Sequence, residues 1–224
     1  MITLPLFLTR ENKHWVGLFC FGFAAGLYLV ANHFHLYPPQ ELPQWSLDRW
    51  IPFLPYTVWI YMSEYLFFPA AYVTSHQVNN ANKYVYAVMT LQLISVLIFC
   101  FWPTTYPRGL YPLPEGLSDL TRKIFTTLRI ADTPASCAPS LHVSSCYLSS
   151  FIFLNEQTEK FIFFFIWATA VAFSTLTTKQ HYLIDVITGF GMAVLIYAIF
   201  YKWIKYGDSS QSLTAAVPGC QPRR

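Results

Sequence analysis

Charged side chains are scarce in this sequence. Only 14 of the 224 residues are Lys or Arg and 11 are Asp or Glu, so charged residues make up 11% of the chain and the formal net charge is +3. So few and so scattered positive charges exclude the basic surface that binding of DNA or RNA requires. We therefore expect no nucleic-acid partner.

Cysteine is also sparse, and its spacing fits neither a disulfide framework nor a metal site. We interpret the thiols as small apolar packing residues. The five cysteines are Cys20, Cys100, Cys137, Cys146 and Cys220.

Apolar side chains dominate instead. Hydrophobic residues make up 54% of the chain and aromatic residues 19%, and the mean hydropathy is +0.38. These values are typical of an integral, multi-pass membrane protein rather than a soluble one.

Six apolar runs approach or reach the length of about 17 to 25 residues that crosses a bilayer. We predict an all-α bundle of six spans, because backbone polar groups in lipid must be satisfied within each segment. The fourth run is short, so we expect its helix to begin near Pro139. This membrane domain is predicted over residues 1–206, followed by a disordered cytoplasmic tail over 207–224. The runs are Trp15–Ala31, Pro52–Val73, Tyr84–Trp102, Leu141–Leu154, Phe161–Leu176 and Tyr182–Trp203.

Loop charges predict the orientation of the spans. With Arg108 and Lys179 set aside as candidate site residues, the side that holds both termini carries more Lys and Arg than the other, which predicts cytoplasmic termini. The histidine motifs described below would then face the periplasmic, extracellular or lumenal side. The side that holds the termini carries Arg10, Lys13, Lys83, Lys160, Lys202, Lys205, Arg223 and Arg224.

On the side opposite the termini, Leu117–Ile130 alternates apolar and basic residues, which predicts an amphipathic helix lying along the membrane surface.

Two isolated polar residues suggest function. Glu64 lies inside the second apolar run, where a carboxyl group either binds substrate or, protonated, hydrogen-bonds a neighbouring helix. Arg108 follows Pro103 and Pro107 on a segment that cannot continue the third helix. Its guanidinium either clamps phosphate oxygens or extends to the lipid head groups.

Two histidine motifs carry the main chemical signal. His181 and Asp185 are four residues apart, so on a helix they share one face. The carboxylate would hold the imidazole in one tautomer and raise the basicity of its other nitrogen, as a nucleophilic histidine needs. His142, in the sequence Pro139-Ser140-Leu141-His142, would be a second proton carrier. Zinc binding is the alternative, but Asp185 is better explained as the partner of His181, and we predict no metal or cofactor.

The two histidine motifs, with Arg108 before them on a six-span chain, resemble the type-2 phosphatidic acid phosphatase superfamily. Within it, the sequence is most similar to the inositol phosphorylceramide synthase branch and its bacterial relatives. The resemblance implies that His181 is the nucleophile that becomes phosphorylated, that Asp185 orients it, and that His142 protonates the leaving oxygen. Ser140 and Arg108 match positions that hold the phosphoryl oxygens, and the implied partner is a lipid substrate in the bilayer.

The sequence departs from the superfamily pattern at four positions. Phe101 stands where a lysine is usual, Gly109 where a proline is usual, and Leu141 where a glycine is usual except in the synthase-like branch. Thr175 replaces an arginine, for which Lys179 can substitute as a point charge.

The predicted function is therefore phosphatase or phosphotransferase activity on a lipid phosphate ester, through a phosphohistidine. Water as acceptor gives hydrolysis and a lipid hydroxyl gives head-group transfer, and these residues do not separate the two outcomes. The alternative is a transporter or lipid-binding protein in which Glu64, His142 and His181 form a proton relay.

Overall fold

The computed structural model describes residues 3–208, most of which are helical. Two short parallel sheets accompany the helices in this range, one pairing β1 with β4 and the other β2 with β3. The strands are β1 (Thr3–Leu6), β2 (Gln40–Glu41), β3 (Thr104–Thr105) and β4 (Lys205–Asp208). The α-helices are α1 (Lys13–His33), α2 (Ser46–Trp50), α3 (Val58–Met62), α4 (Glu64–Thr74), α5 (Val78–Phe101), α6 (Asp119–Ala131), α7 (Leu141–Phe151), α8 (Thr158–Thr177) and α9 (Leu183–Ala198).

Four helices within residues 3–208 are long and apolar enough to cross a membrane. They are α1, α5, α8 and the continuous segment Leu183–Trp203, in which α9 runs into a π-helical turn. They correspond to the first, third, fifth and sixth predicted spans. The lipid environment also accounts for large exposed apolar side chains on α1, such as Leu18 and Phe19.

The second predicted span is interrupted. Within Pro52–Val73 a 3-10 turn over Pro55–Thr57 precedes α3, and Ser63 separates α3 from α4. The Ser63 hydroxyl donates a hydrogen bond to the carbonyl oxygen of Ile60 at 2.6 Å, a local bond that competes with regular helix geometry. The interruption places Glu64 in the first turn of α4.

The fourth predicted span contains α7, followed by a 3-10 turn over Ile152–Asn155. Its helix begins at Leu141, two residues after the expected start at Pro139, because Ser140 is the N-cap: its hydroxyl oxygen accepts from the amide of Val143 at 3.4 Å. Every residue of α7 is buried, so this short helix forms the centre of the bundle.

Close packing brings α9 against the beginning of α7. A Cβ atom added at Gly189 of α9 would lie only 2.6 Å from the carbonyl oxygen of Ser140. Glycine is therefore required for this approach, which positions the two histidine motifs beside each other.

The segment predicted as an amphipathic surface helix corresponds to α6. Thr121, Phe125 and Leu128 are buried, and the last two pack with Val58 and Tyr61 of α3. Its contact with a membrane surface stays a prediction.

The two ends of the described chain pair with each other, because β1 runs parallel to β4 with Thr3 opposite Lys205. Strand β4 extends two residues beyond the predicted domain boundary at residue 206. The remainder of the predicted tail, residues 209–224, lies outside the described residues.

Candidate active site

The turn between α8 and α9 carries His181. Helix α8 ends in a Schellman motif, in which the amide of Gln180 donates to the carbonyl of Thr175 and Lys179 adopts a left-handed conformation with φ of 57°. The chain then enters α9 with Tyr182 as N-cap. The Schellman motif that ends α8 and the N-terminus of α9 directly after it thus fix the position of His181.

Asp185 holds the His181 ring. Its Oδ2 atom lies 3.2 Å from His181 Nδ1 and accepts a second hydrogen bond from the Tyr182 amide at 2.9 Å. The same carboxylate thus caps α9 and orients the imidazole. In the tautomer that donates Nδ1–H to Asp185, His181 Nε2 keeps its lone pair.

His181 Nε2 faces the beginning of α7. It lies 3.3 Å from the Ser140 hydroxyl and 3.4 Å from His142 Nδ1. Both histidine side chains are buried. The structure thus brings together His142, His181, Asp185 and Ser140, all of which the sequence selected as candidates.

Glu64 and Tyr61 contact the other end of the His142 ring. His142 Nε2 lies 3.2 Å from Glu64 Oε1 and 2.9 Å from the Tyr61 hydroxyl. Glu64 is 2% exposed, so its carboxyl group depends on these protein contacts rather than on water. A continuous chain of contacts therefore runs from Glu64 through His142 and His181 to Asp185. Sequence reasoning missed Tyr61, which looked like an ordinary aromatic residue of the second span.

Arg108 is paired with Asp132, which sequence reasoning also missed. Arg108 Nη2 lies 3.0 Å from Asp132 Oδ2, and Nη1 donates to the Asp132 carbonyl oxygen. The Tyr28 hydroxyl donates to the other carboxylate oxygen. Arg108 is 8% exposed, and its Nε–H is buried with no hydrogen-bond partner among the described residues. That donor is free to bind an anionic oxygen.

The Arg108–Asp132 pair stays charged at neutral pH. Burial by itself would raise the pKa of the Asp132 carboxyl group, but the Arg108 guanidinium beside it outweighs burial, with a smaller contribution from His142, and holds the pKa below its ordinary value. The carboxylate therefore stabilises the fold above the unfolded-state pKa of about 3.9, and this contribution is lost as the pH falls through the lower folded-state pKa. In the sequence, the one sign of this ion pair is that an acidic residue, Asp132, lies two residues after the end of the predicted amphipathic helix at Ile130.

Lys179 contacts a different part of the protein. Its ammonium group donates to the carbonyl oxygens of Asp48 at 3.0 Å and Ile51 at 2.6 Å. Asp48 in turn accepts from the amide of Leu183 at 2.7 Å through its side chain. Lys179 and Asp48 thus fasten the segment around α2 to the turn that carries His181. The structure does not bring the Lys179 ammonium group into the cluster of His142, His181 and Ser140.

One group of three potential metal ligands is present among residues 3–208. A ligand atom from each of Cys137, His181 and Asp185 lies within 4.8 Å of the others. Two of these residues already form the His181–Asp185 hydrogen bond, which a metal ion would have to replace. As it stands, the arrangement is that of an oriented imidazole.

Comparison with known protein families gives one match. A sequence model of the PAP2 superfamily matches residues 43–199, which is more than half of the chain and includes both histidine motifs, Glu64, Arg108 and Asp132. No curated protein matches the chain significantly.

Proposed function

Because the chain belongs to the PAP2 superfamily, whose members typically hydrolyse phosphate esters, we propose that it is a membrane-embedded lipid phosphatase or phosphotransferase. One observation carries the proposal: one ring nitrogen of His181 is hydrogen-bonded to the Asp185 carboxylate, and the other is directed at Ser140 and His142. This is the arrangement of an activated nucleophile with an acid next to it.

The first half-reaction forms a phosphohistidine. His181 Nε2 attacks phosphorus, the bond from phosphorus to the leaving oxygen breaks, and His142 Nδ1–H gives that oxygen its proton. The Arg108 Nε–H and the Ser140 hydroxyl donate to the phosphoryl oxygens, whose charge must be stabilised as the transition state forms. Glu64 accepts a hydrogen bond from His142 Nε2–H and holds the His142 ring in position beside His181.

The second half-reaction frees His181. His142, now without its proton, takes one from the attacking water or lipid hydroxyl, whose oxygen bonds to phosphorus as the Nε2–phosphorus bond breaks. Water gives inorganic phosphate, and a lipid hydroxyl gives a transferred phospho-head-group. Leu141 and Thr175 favour transfer of the inositol phosphorylceramide synthase type, whereas the short loops favour hydrolysis.

A panel of substrates tests the proposal. Purified protein in phospholipid vesicles should release phosphate from a long-chain phosphate monoester, or transfer a head group from phosphatidylinositol to ceramide, and brief acid-quenched reactions should contain an acid-labile phosphoprotein. Absence of phosphate release, of transfer and of phosphoprotein would contradict the enzyme assignment. It would leave the Glu64–His142–His181 chain to be tested as a proton relay.

We also propose that the chain crosses the membrane six times. Pairing of β1 with β4 puts both ends of the described chain on one side, which requires an even number of crossings. The segments α3–α4 and α7 would supply two crossings beyond the four long helices. Hydrogen bonds between loops also support six crossings. The Lys13 ammonium group donates to the Ser75 carbonyl oxygen, and the Ser75 hydroxyl donates to the Glu156 carboxylate at 2.6 Å. The beginning of α1 and the loops after α4 and α7 therefore lie together.

Labelling of single cysteines tests this topology. In a cysteine-free background, cysteines at the exposed positions Lys123 and Thr158 should react with an impermeant maleimide from opposite faces of sealed vesicles. Lys123 is expected on the non-cytoplasmic face, because the loop charges favour cytoplasmic termini. Reaction of both positions from the same face would exclude the six-span arrangement.

A further inference from the structure

A large apolar cavity opens beside the histidine cluster. It has a volume of about 600 Å³ and lies between α1, α4, α5 and the first turns of α7. Its walls are formed mainly by apolar side chains, among them Leu18, Phe21, Phe68, Val85 and Val88. Such a volume and lining suit a mostly apolar ligand.

The two ends of the cavity differ in chemistry. One end is lined by Glu64, His142 and Tyr28, which belong to the contact network of the candidate active site. The other end is reached by His14 and Tyr72, and the lining between the two ends is mainly apolar. A ligand that fills the cavity would therefore place one terminus at His142 and extend an apolar body away from it.

The cavity is long enough to hold one lipid chain. Its lining on α1 extends from His14 to Leu29, which at the rise of an α-helix is roughly 22 Å. Half of the hydrocarbon thickness of a bilayer, the depth of one leaflet, is about 15 Å.

The cavity is open towards the bilayer between α1 and α4. These helices meet at one end, where the Tyr72 hydroxyl donates to the Lys13 carbonyl at 2.8 Å and the Tyr72 ring lies against Gly17. Beyond that contact, side chains that line the cavity are also exposed, including Leu18 at 64% and Tyr65 at 47%. A lipid chain can therefore enter sideways without leaving the membrane.

We propose that this cavity binds the alkyl chain of the substrate's leaving group, a long-chain lipid alcohol esterified to phosphate. This inference rests on the proposed function. The chain lies between α1 and α4, and the ester oxygen lies at His142, which is the residue that protonates it. After the first half-reaction the free lipid alcohol occupies the cavity. In the reverse direction the same pocket presents a lipid alcohol to the phosphohistidine as acceptor.

A bulky side chain in the cavity tests the inference. Ala25 lines the cavity, whereas its neighbour Gly26 does not, and a Cβ at Gly26 meets no atom within 4 Å. Each methylene group displaced from an apolar site weakens binding about fourfold. With dodecyl phosphate and butyl phosphate as substrates, Ala25→Phe should therefore lower kcat/KM for the dodecyl ester about tenfold, through displacement of one to two methylene groups. The butyl ester should change less than twofold, and Gly26→Phe should leave both substrates unchanged. Equal losses on both esters, or none, would overturn the inference.

A binding measurement keeps the inference testable in a protein that hydrolyses neither ester. Hexadecanol with a photoactivatable diazirine near its terminal methyl group should label residues around Gly17 and Tyr72, and unlabelled hexadecanol should compete. If Ala25→Phe folds poorly, Val88→Phe on α5 replaces it as the cavity-filling variant, and it should reduce labelling. Labelling confined to residues outside the cavity would overturn the inference. Competed labelling in an inactive protein would instead overturn the proposed enzymatic activity and leave the chain-binding cavity standing.

Discussion

Replacement of His181 by alanine should abolish turnover and phosphoprotein formation together. Among the described residues, His181 combines a carboxylate partner on one ring nitrogen with a second ring nitrogen directed at Ser140 and His142. Loss of a nucleophile that acts within such a unit lowers kcat on the order of 10⁴-fold or more. The measurement is phosphate release together with acid-labile radiolabel from a labelled lipid phosphate.

Asp185→Asn should cost less than His181→Ala. The asparagine keeps the shape of the carboxylate and an oxygen that can accept from the Tyr182 amide, but it no longer stabilises the imidazolium or fixes one tautomer. We expect roughly 10- to 100-fold more residual activity than in His181→Ala, with phosphoprotein formed slowly. Equal and small losses in the two variants would contradict the assignment of His181 as nucleophile.

Capping complicates the choice of substitution. Because Asp185, the third residue of α9, also accepts from the amide of the N-cap residue Tyr182, removal of its side-chain oxygens loses one capping interaction, which contributes about 1 kcal/mol to stability. Asparagine keeps a side-chain oxygen that can accept from the Tyr182 amide, so it separates the chemical effect from the structural one better than alanine does. Thermal unfolding in detergent should show nearly unchanged stability for Asp185→Asn.

Local patterns in the sequence predicted what local geometry determines. The long apolar runs predicted the four helices that are long enough to span. The helical spacing of His181 and Asp185 predicted their contact, but His181 lies in the turn before α9, and the contact forms because Asp185, in the first turn of α9, faces back towards that turn. The interruption at Ser63 was missed, because the apolar character of Pro52–Val73 continues through it. Composition therefore did not show that Glu64 begins a new helix.

Long-range contacts could not be obtained from spacing. Asp132 is 24 residues from Arg108 and their pairing depends on how the loop before α7 folds. Lys179 lies close to His181 in the sequence, and this closeness suggested a shared site. The left-handed turn at Lys179 instead directs its ammonium group to the carbonyls of Asp48 and Ile51.

The second large effect on activity is expected at the Arg108–Asp132 pair. There the loss of a phosphate ligand can be separated from the loss of a buried ion pair. Arg108→Ala removes a donor to the phosphoryl oxygens and also leaves a buried carboxylate without its cation. The first loss should lower kcat/KM by about 10- to 150-fold, corresponding to about 1.5 to 3 kcal/mol for a charge-assisted hydrogen bond. The second should destabilise the fold by about 3 to 5 kcal/mol, which thermal unfolding measures.

The double variant Arg108→Ala/Asp132→Ala distinguishes a phosphate ligand from a structural cation. Removing both charges relieves the unpaired carboxylate, so stability should recover much of what Arg108→Ala loses. Turnover should not recover, because Arg108 Nε–H, the donor that Asp132 does not occupy, is still missing. Vanadate, which mimics the pentacoordinate phosphoryl group, should likewise inhibit both variants more weakly than the unmodified protein. Recovery of turnover in parallel with stability would show that Arg108 serves only to neutralise Asp132. In that case the phosphoryl oxygens would have to be held by Ser140 and by the amides at the beginning of α7.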